Sequence, residues 1–239
     1  MRFSRFLAST AAAALMLGTA GAQAQEQESA LPGSISGTLT LSTDYLFRGV
    51  SQTDEEASLQ GSLTWGLDSG FWLGFWGSNV DFNDEDEASL ELDLMAGYSN
   101  TVGNLSYTVG AYLYTYPGAE NSLDYDFYEL GLNLAYDTGV VVPTLSLFVT
   151  DEWPGNGQSA WYVTGGVKIE ATETIALYAN IGKQWLEDPT RKDAIDYNFG
   201  VTVDYFGLSW DLKYAGNDDR GFYGDLARDR VVFSLTKAF

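Results

Sequence analysis

Beyond Gln25, apolar and polar residues alternate one for one through most of the chain. Leu59, Leu63, Trp65 and Leu67 interleave with Gln60, Ser62, Thr64 and Gly66, and Leu90, Leu92, Leu94, Ala96 and Tyr98 with Glu91, Asp93 and Gly97. Tyr128, Leu130, Leu132, Leu134 and Tyr136 repeat the pattern. It is clearest where Ile195, Tyr197, Phe199, Val201, Val203 and Tyr205 enclose Asp196, Asn198, Gly200, Thr202 and Asp204. A period of two puts successive side chains on opposite faces of a strand, and no stretch shows the spacing of a helix of useful length. Twelve runs predict strands over 35–48, 57–67, 71–79, 89–99, 104–116, 127–136, 140–150, 160–169, 174–184, 195–206, 207–215 and 229–239. In 71–79 the phase is open, because Phe71, Leu73 and Phe75 compete with Trp72 and Trp76.

The connections carry a second pattern. Long acidic ones, over 50–57, 80–88, 116–126, 151–160, 185–194 and 215–229, alternate with short links at Asp68–Gly70, Asn100–Gly103, Asp137–Gly139, Ala171–Glu173 and Phe206-Gly207. Outer-membrane barrels have this asymmetry, with long extracellular loops and short periplasmic turns. A soluble sandwich, whose two ends meet the same solvent, has no reason for it.

Alternation alone does not say which face is inside. The polar face is largely Gly, Ser, Thr, Asn and charged residues, suited to a wet lumen. The other carries Leu, Val and Ile at strand middles and aromatic residues towards the ends, as lipid and its headgroup boundary require. Backbone groups crossing lipid must all be paired, which forces a closed ring. The predicted fold is therefore all-β: a transmembrane antiparallel up-and-down β-barrel of about twelve strands over residues 35–239, with both ends in the periplasm.

The ends of the sequence fit export. Arg2 and Arg5, the apolar run Leu7–Leu17 and the Ala22-Gln23-Ala24 site predict a cleavable signal peptide over 1–24, followed by a short periplasmic tail over 25–34. Val231, Phe233, Leu235 and Phe239 share one face of the last strand. An aromatic terminus there resembles the signal read by the barrel-assembly machinery. The charge also bears on partners. Without Arg2 and Arg5 the chain has 10 basic and 33 acidic residues, a net charge of −23, which repels nucleic acid.

Ser42-Thr43-Asp44-Tyr45-Leu46-Phe47-Arg48-Gly49-Val50-Ser51-Gln52 closely resembles the opening motif of the TorF-type porins, the Gcw_chp family. Gly61, the block Gly74-Phe75-Trp76-Gly77-Ser78-Asn79-Val80, and Asp93 with Gly97-Tyr98 continue the likeness. The resemblance implies an outer-membrane barrel with a channel role and supplies no substrate.

Candidate chemistry is sparse. The chain has no histidine to activate a serine and no cysteine for a disulfide or thiolate, and it contains neither a nucleophile elbow nor a P-loop. Paired carboxylates such as Glu91 and Asp93 could do acid–base work, but two on one strand face more simply line a wet interior. The reading is non-enzymatic and needs no cofactor.

By parity the lumen displays Asp44, Arg48, Glu91, Asp93, Glu129, Lys168, Asp196, Asp204, Asp211, Lys213 and Arg230, seven acids against four bases. Such a set makes either a water-filled path preferring cations or an ion-pair plug; the narrow channel is the reading adopted. Arg48 is either a ligand contact or a lock on a carboxylate such as Glu91 or Asp44. The cluster Asp84-Glu85-Asp86-Glu87 offers hard oxygen ligands to a divalent cation but lacks EF-hand spacing, so no metal site is firm. Solvated loops, or loops bridged to lipopolysaccharide through divalent ions, are the ordinary account.

The expectation is an outer-membrane porin-like channel for small polar or cationic solutes, with lipid and lipopolysaccharide as its surroundings. The alternatives are a closed-lumen structural or binding barrel and a soluble periplasmic lipid-binding barrel.

Overall fold

The computed structural model describes residues 32–82, 88–120, 123–154 and 157–239. The signal peptide, most of the tail after it, and Asp84–Glu87 lie outside these residues. In chain order the elements are β1 (Ser34–Ser42), β2 (Leu46–Phe47), β3 (Val50–Ser51), β4 (Ser58–Gly66), β5 (Phe71–Asn79) and β6 (Leu90–Val102). There follow β7 (Leu105–Thr115), β8 (Phe127–Tyr136), β9 (Val141–Trp153), β10 (Gln158–Glu170), β11 (Ile175–Leu186), β12 (Ala194–Tyr205) and β13 (Leu208–Asn217). A short helix α1 (Arg220–Tyr223) and a 3-10 turn (Gly224–Ala227) precede β14 (Arg230–Ala238).

Twelve of the strands close into one antiparallel barrel, and β2 with β3 forms a separate hairpin. From β4 to β14 each strand pairs with the next, while β1 closes the ring between β4 and β14. At that seam Thr40 lies opposite Thr236 and Ser42 opposite Ser234, and Gly37 and Phe239 exchange both backbone hydrogen bonds at 2.9 and 3.0 Å. The barrel strands run from 9 to 13 residues, the length a tilted strand needs to cross a bilayer.

The pairing resolves the phase left open in β5: Trp72 is buried while Phe71 and Phe75 face outward. Across the wall, Leu41 is 57% exposed, Ile181 62% and Phe199 54%. A girdle of Trp65, Phe71, Tyr98, Tyr107, Tyr136 and Tyr205 marks the turn end. Tyr128, Trp161, Trp185 and Tyr197 mark the loop end. Charge on the outward face is confined to strand ends. Lys183 there pairs with Asp193 at 3.1 Å, and Lys237 donates to the Gly207 carbonyl at 3.0 Å. Apolar surface on this scale, far beyond the patch of a soluble monomer, calls for lipid; taking one Leu out of water is worth about 1.5–3 kcal/mol.

Two predicted boundaries need correcting. The first strand ends at Ser42, not residue 48, because the chain turns into the barrel there instead of leaving it. The connection predicted over 151–160 shrinks to 154–157, since β9 and β10 run on to Trp153 and Gln158. A bulge between Gln158 and Ala160 shifts their register and swings Trp153 inward, where it is 6% exposed. Strict alternation of long and short connections therefore fails at this one place. The two-residue link Phe206-Gly207 has positive φ at both positions, 51° and 69°, the twist that a tight hairpin needs.

Candidate functional site

After β1 the chain folds into the lumen. Asp44 organises the reversal: its Oδ1 accepts from the Ser51 hydroxyl at 2.7 Å and the Thr53 hydroxyl at 3.0 Å, and its Oδ2 takes Arg230 Nη1 at 2.7 Å. β2 and β3 then pair Leu46 with Ser51 and Phe47 with Val50. At the hairpin tip Arg48 and Gly49 both have positive φ, 49° and 77°. Gly49 also lies so near the wall that a Cβ would stand 2.4 Å from the Gly216 carbonyl oxygen. Only glycine meets both demands.

The tip carries Arg48 towards the far side of the barrel. Its Nη2 reaches both carboxylate oxygens of Glu129 at 2.7 Å, on β8, five strands round the ring from β1. Nη1 donates to Gln184 Oε1 at 3.4 Å, and Asn217 donates to the Arg48 carbonyl at 2.9 Å. The guanidinium lies 4.0 Å from the Tyr162 ring centroid and 4.7 Å from that of Phe47, so aromatic faces replace much of its lost hydration. Glu129 also accepts from the Tyr114 hydroxyl at 3.2 Å. The sequence reading offered Glu91 or Asp44 as the partner of Arg48. The structure corrects this to Glu129, because the hairpin is inserted instead of continuing the strand.

The other predicted lumen residues group around this centre. Glu91, Asp93 and Asp196 are buried, and Asp196 accepts from the Tyr162 hydroxyl at 3.1 Å. Asp211 accepts from Tyr178 and Thr202 at 2.9 Å each. Asp204 pairs with the Ser209 hydroxyl, Lys168 with Glu170 at 2.6 Å, and Lys213 stands half-buried on β13. Nine of the eleven stand on strand faces turned inward. Asp44 and Arg48 are inside because the chain segment that bears them is. Beyond the barrel, Arg220 holds Asp229 at 3.2 Å. A hydrogen bond from Tyr197, then others from Tyr214 and the Arg220 charge, keeps that carboxyl below the ordinary aspartate range.

Sequence reasoning missed the aromatic filling. Tyr112, Tyr114, Phe127, Phe148 and Tyr162 point inward and pack as one cluster with Trp72 and Trp153. In Ala111-Tyr112-Leu113-Tyr114-Thr115-Tyr116 neither face is charged or strongly polar, so alternation loses contrast. The signal available was size and a polar tip, Tyr on one face and Leu or Ala on the other. Among the described residues no group of three or more acidic side chains is arranged to hold a metal ion.

A closed twelve-stranded antiparallel barrel with a polar interior and an inserted hairpin defines a porin-like fold. The chain belongs to the Gcw_chp family, described as a bacterial protein of unknown function, whose model matches residues 26–239. The fold is similar to that of the KdgM porin, with a TM-score of 0.59 at 9% identity over 85% of this chain and 98% of that one. It is also similar to the NanC porin, at 0.55 and 9% over 86% and 98%. The KdgM porin in complex with disordered oligogalacturonate gives 0.54 and 9% over 86% and 97%. At such identity the likeness is one of fold. No curated protein matches the sequence.

Proposed function

We propose that this protein is an outer-membrane channel that passes small polar or cationic solutes through a lumen narrowed by the β2–β3 hairpin. The observation that carries the reading is an interior of carboxylates, hydroxyls and amides enclosed by an outward wall of leucines and aromatic rings. Acids outnumber bases among the inward charges, and with two bases committed to Glu129 and Asp44 the remaining field favours cations. The outward wall supports outer-membrane lipid and lipopolysaccharide as the surroundings, and assembly there by the barrel-assembly machinery. No catalytic step is assigned. A soluble lipid-binding barrel would turn its leucines inward, the reverse of what this wall does.

A second reading has its own observation. Leu46 is 2% exposed and Ser51 0%, so the seated hairpin fills much of the loop-side lumen, as a closed structural or binding barrel would require. Purified protein in planar bilayers separates the two. Single-channel current with a cation-selective reversal potential in a salt gradient supports transport. If neither the intact protein nor a variant with residues 45–52 replaced by a short Gly-Ser link conducts, the channel reading is wrong and the closed barrel stands.

A further inference from the structure

Among the described residues, three of the six buried acids pair with a cation. Glu129 has Arg48 and Asp44 has Arg230, while Asp219 has Arg191 at 3.9 Å. Asp196, without one, is served by a tyrosine hydroxyl. Glu91 and Asp93 also lack one, and they stand together. They are 1% and 4% exposed, and among the described residues no lysine or arginine pairs with either. Glu91 Oε1 accepts a long hydrogen bond, 3.4 Å, from the Tyr45 hydroxyl, with Tyr116 close to the same carboxylate. Glu91 Oε2 and Asp93 Oδ1 accept no hydrogen bond from the described residues, as is also true of Asp219 Oδ2.

The two acids stand two residues apart on the inward face of β6, about 7 Å along the strand. Asp93 lies between Trp76 on β5 and Tyr114 on β7 in the sheet register. The ring of Tyr45, brought in by the chain reversal after β1, packs on Trp76 at 5.1 Å between centroids, with its hydroxyl on Glu91. Two desolvated carboxylates side by side cannot both stay charged without compensation, which a bound cation or a proton can supply.

We propose that Glu91 and Asp93 bind one hard divalent cation of the calcium class. A charge of +2 neutralises the pair without remainder. The donors at hand are carboxylate and phenol oxygens, hard ligands that suit Ca²⁺ or Mg²⁺ and not the softer metals, which favour the histidine and cysteine this chain lacks. Two carboxylates are few for such an ion, so hydroxyls, carbonyls and water complete its shell. Because Tyr45 belongs to the inserted segment, the ion would clip that segment to the barrel wall. This consequence deepens the channel reading and rests on it; the binding itself does not.

The test uses the full barrel refolded in detergent at neutral pH, stripped with chelator and titrated with calcium chloride by calorimetry and thermal melting. The expected result is one equivalent bound, with a dissociation constant on the order of 10⁻⁴–10⁻³ M, as in extracellular calcium modules, and a melting temperature that rises with calcium. Both effects should vanish in the double variant E91Q/D93N and persist in D84N/E85Q/D86N/E87Q, which removes the acidic cluster of the β5–β6 loop. Heat-dependent gel mobility checks that each variant is folded. If E91Q/D93N does not fold, D93N alone must weaken binding at least tenfold. No binding in the wild type overturns the proposal, as does a calcium response unchanged in E91Q/D93N. So does a calcium-insensitive wild type that E91Q/D93N stabilises, the mark of a shared proton. No current is measured, so a barrel that conducts nothing can still bear the site, and a conducting one can lack it.

Discussion

The two halves of the lumen are built on opposite terms. Towards the loops the interior is filled: the hairpin, the Arg48–Glu129 and Arg230–Asp44 pairs and the aromatic cluster leave side chains such as Tyr112 and Glu129 only 1% exposed. Towards the turns small polar side chains line much of the interior, with Trp72 and Val142 buried among them. Thr38 meets Ser62 at 2.7 Å, Thr40 meets Thr236 at 2.8 Å, and Asn180 donates to Asn198 at 2.8 Å, all on half-buried residues. Short hydroxyls and amides beside water can exchange partners with it at little cost. Buried charges cannot, and in the filled half Arg48 and Arg230 each bind a buried carboxylate. Wall and filling are thus separable: the hydrogen-bonded ring holds the barrel, and the inserted segment occupies its loop-side half.

The sharpest way to break this contrast is to remove one charge from each half. R48A leaves Glu129 buried and unpaired and is expected to cost about 3–5 kcal/mol in reversible urea unfolding. K168A loses a partly exposed pair with Glu170 and should cost about 1 kcal/mol or less. Equal losses would mean the halves do not differ in dielectric character. Next in size is G49A, which meets both the positive φ and the Gly216 carbonyl and should cost about 1–3 kcal/mol. Under the channel reading it also unseats the hairpin, so single-channel conductance rises; unchanged current would detach the hairpin from the pathway. The smallest effect belongs to T40V in the lined half, about 1 kcal/mol at most, with conductance as in the wild type.

Much of this architecture was legible because lipid on one side and water on the other impose a strong period of two. The strand predicted over 71–79 matches β5 and that over 127–136 matches β8; most others shift by only a few residues at their ends. What escaped notice was tertiary. Asp44-Tyr45-Leu46-Phe47-Arg48 alternates well enough to pass for more strand, and nothing local says that Leu46 will pack on Ala215 and Val232, over a hundred residues away in sequence. The bulge beyond Thr150 was hidden for the same reason: Asp151-Glu152 reads as the start of an acidic loop, though the backbone keeps pairing to Trp153. Parity brought the inward acids into view but could not choose their partners. The choice of Glu129 over Glu91 for Arg48 follows from how far the inserted tip reaches.

The seam has a kinetic meaning. Thr40 and Thr236 are separated by 196 positions, so the ring cannot shut until its first and last ribbons meet, the slowest kind of encounter a chain can make. The segment that enters the lumen hangs directly from the first of those ribbons, with Thr43 N–H bonded to the Phe233 carbonyl at 2.9 Å. Pairing with β4 already holds that ribbon along its whole length, so the last encounter adds the second footing of the inserted segment.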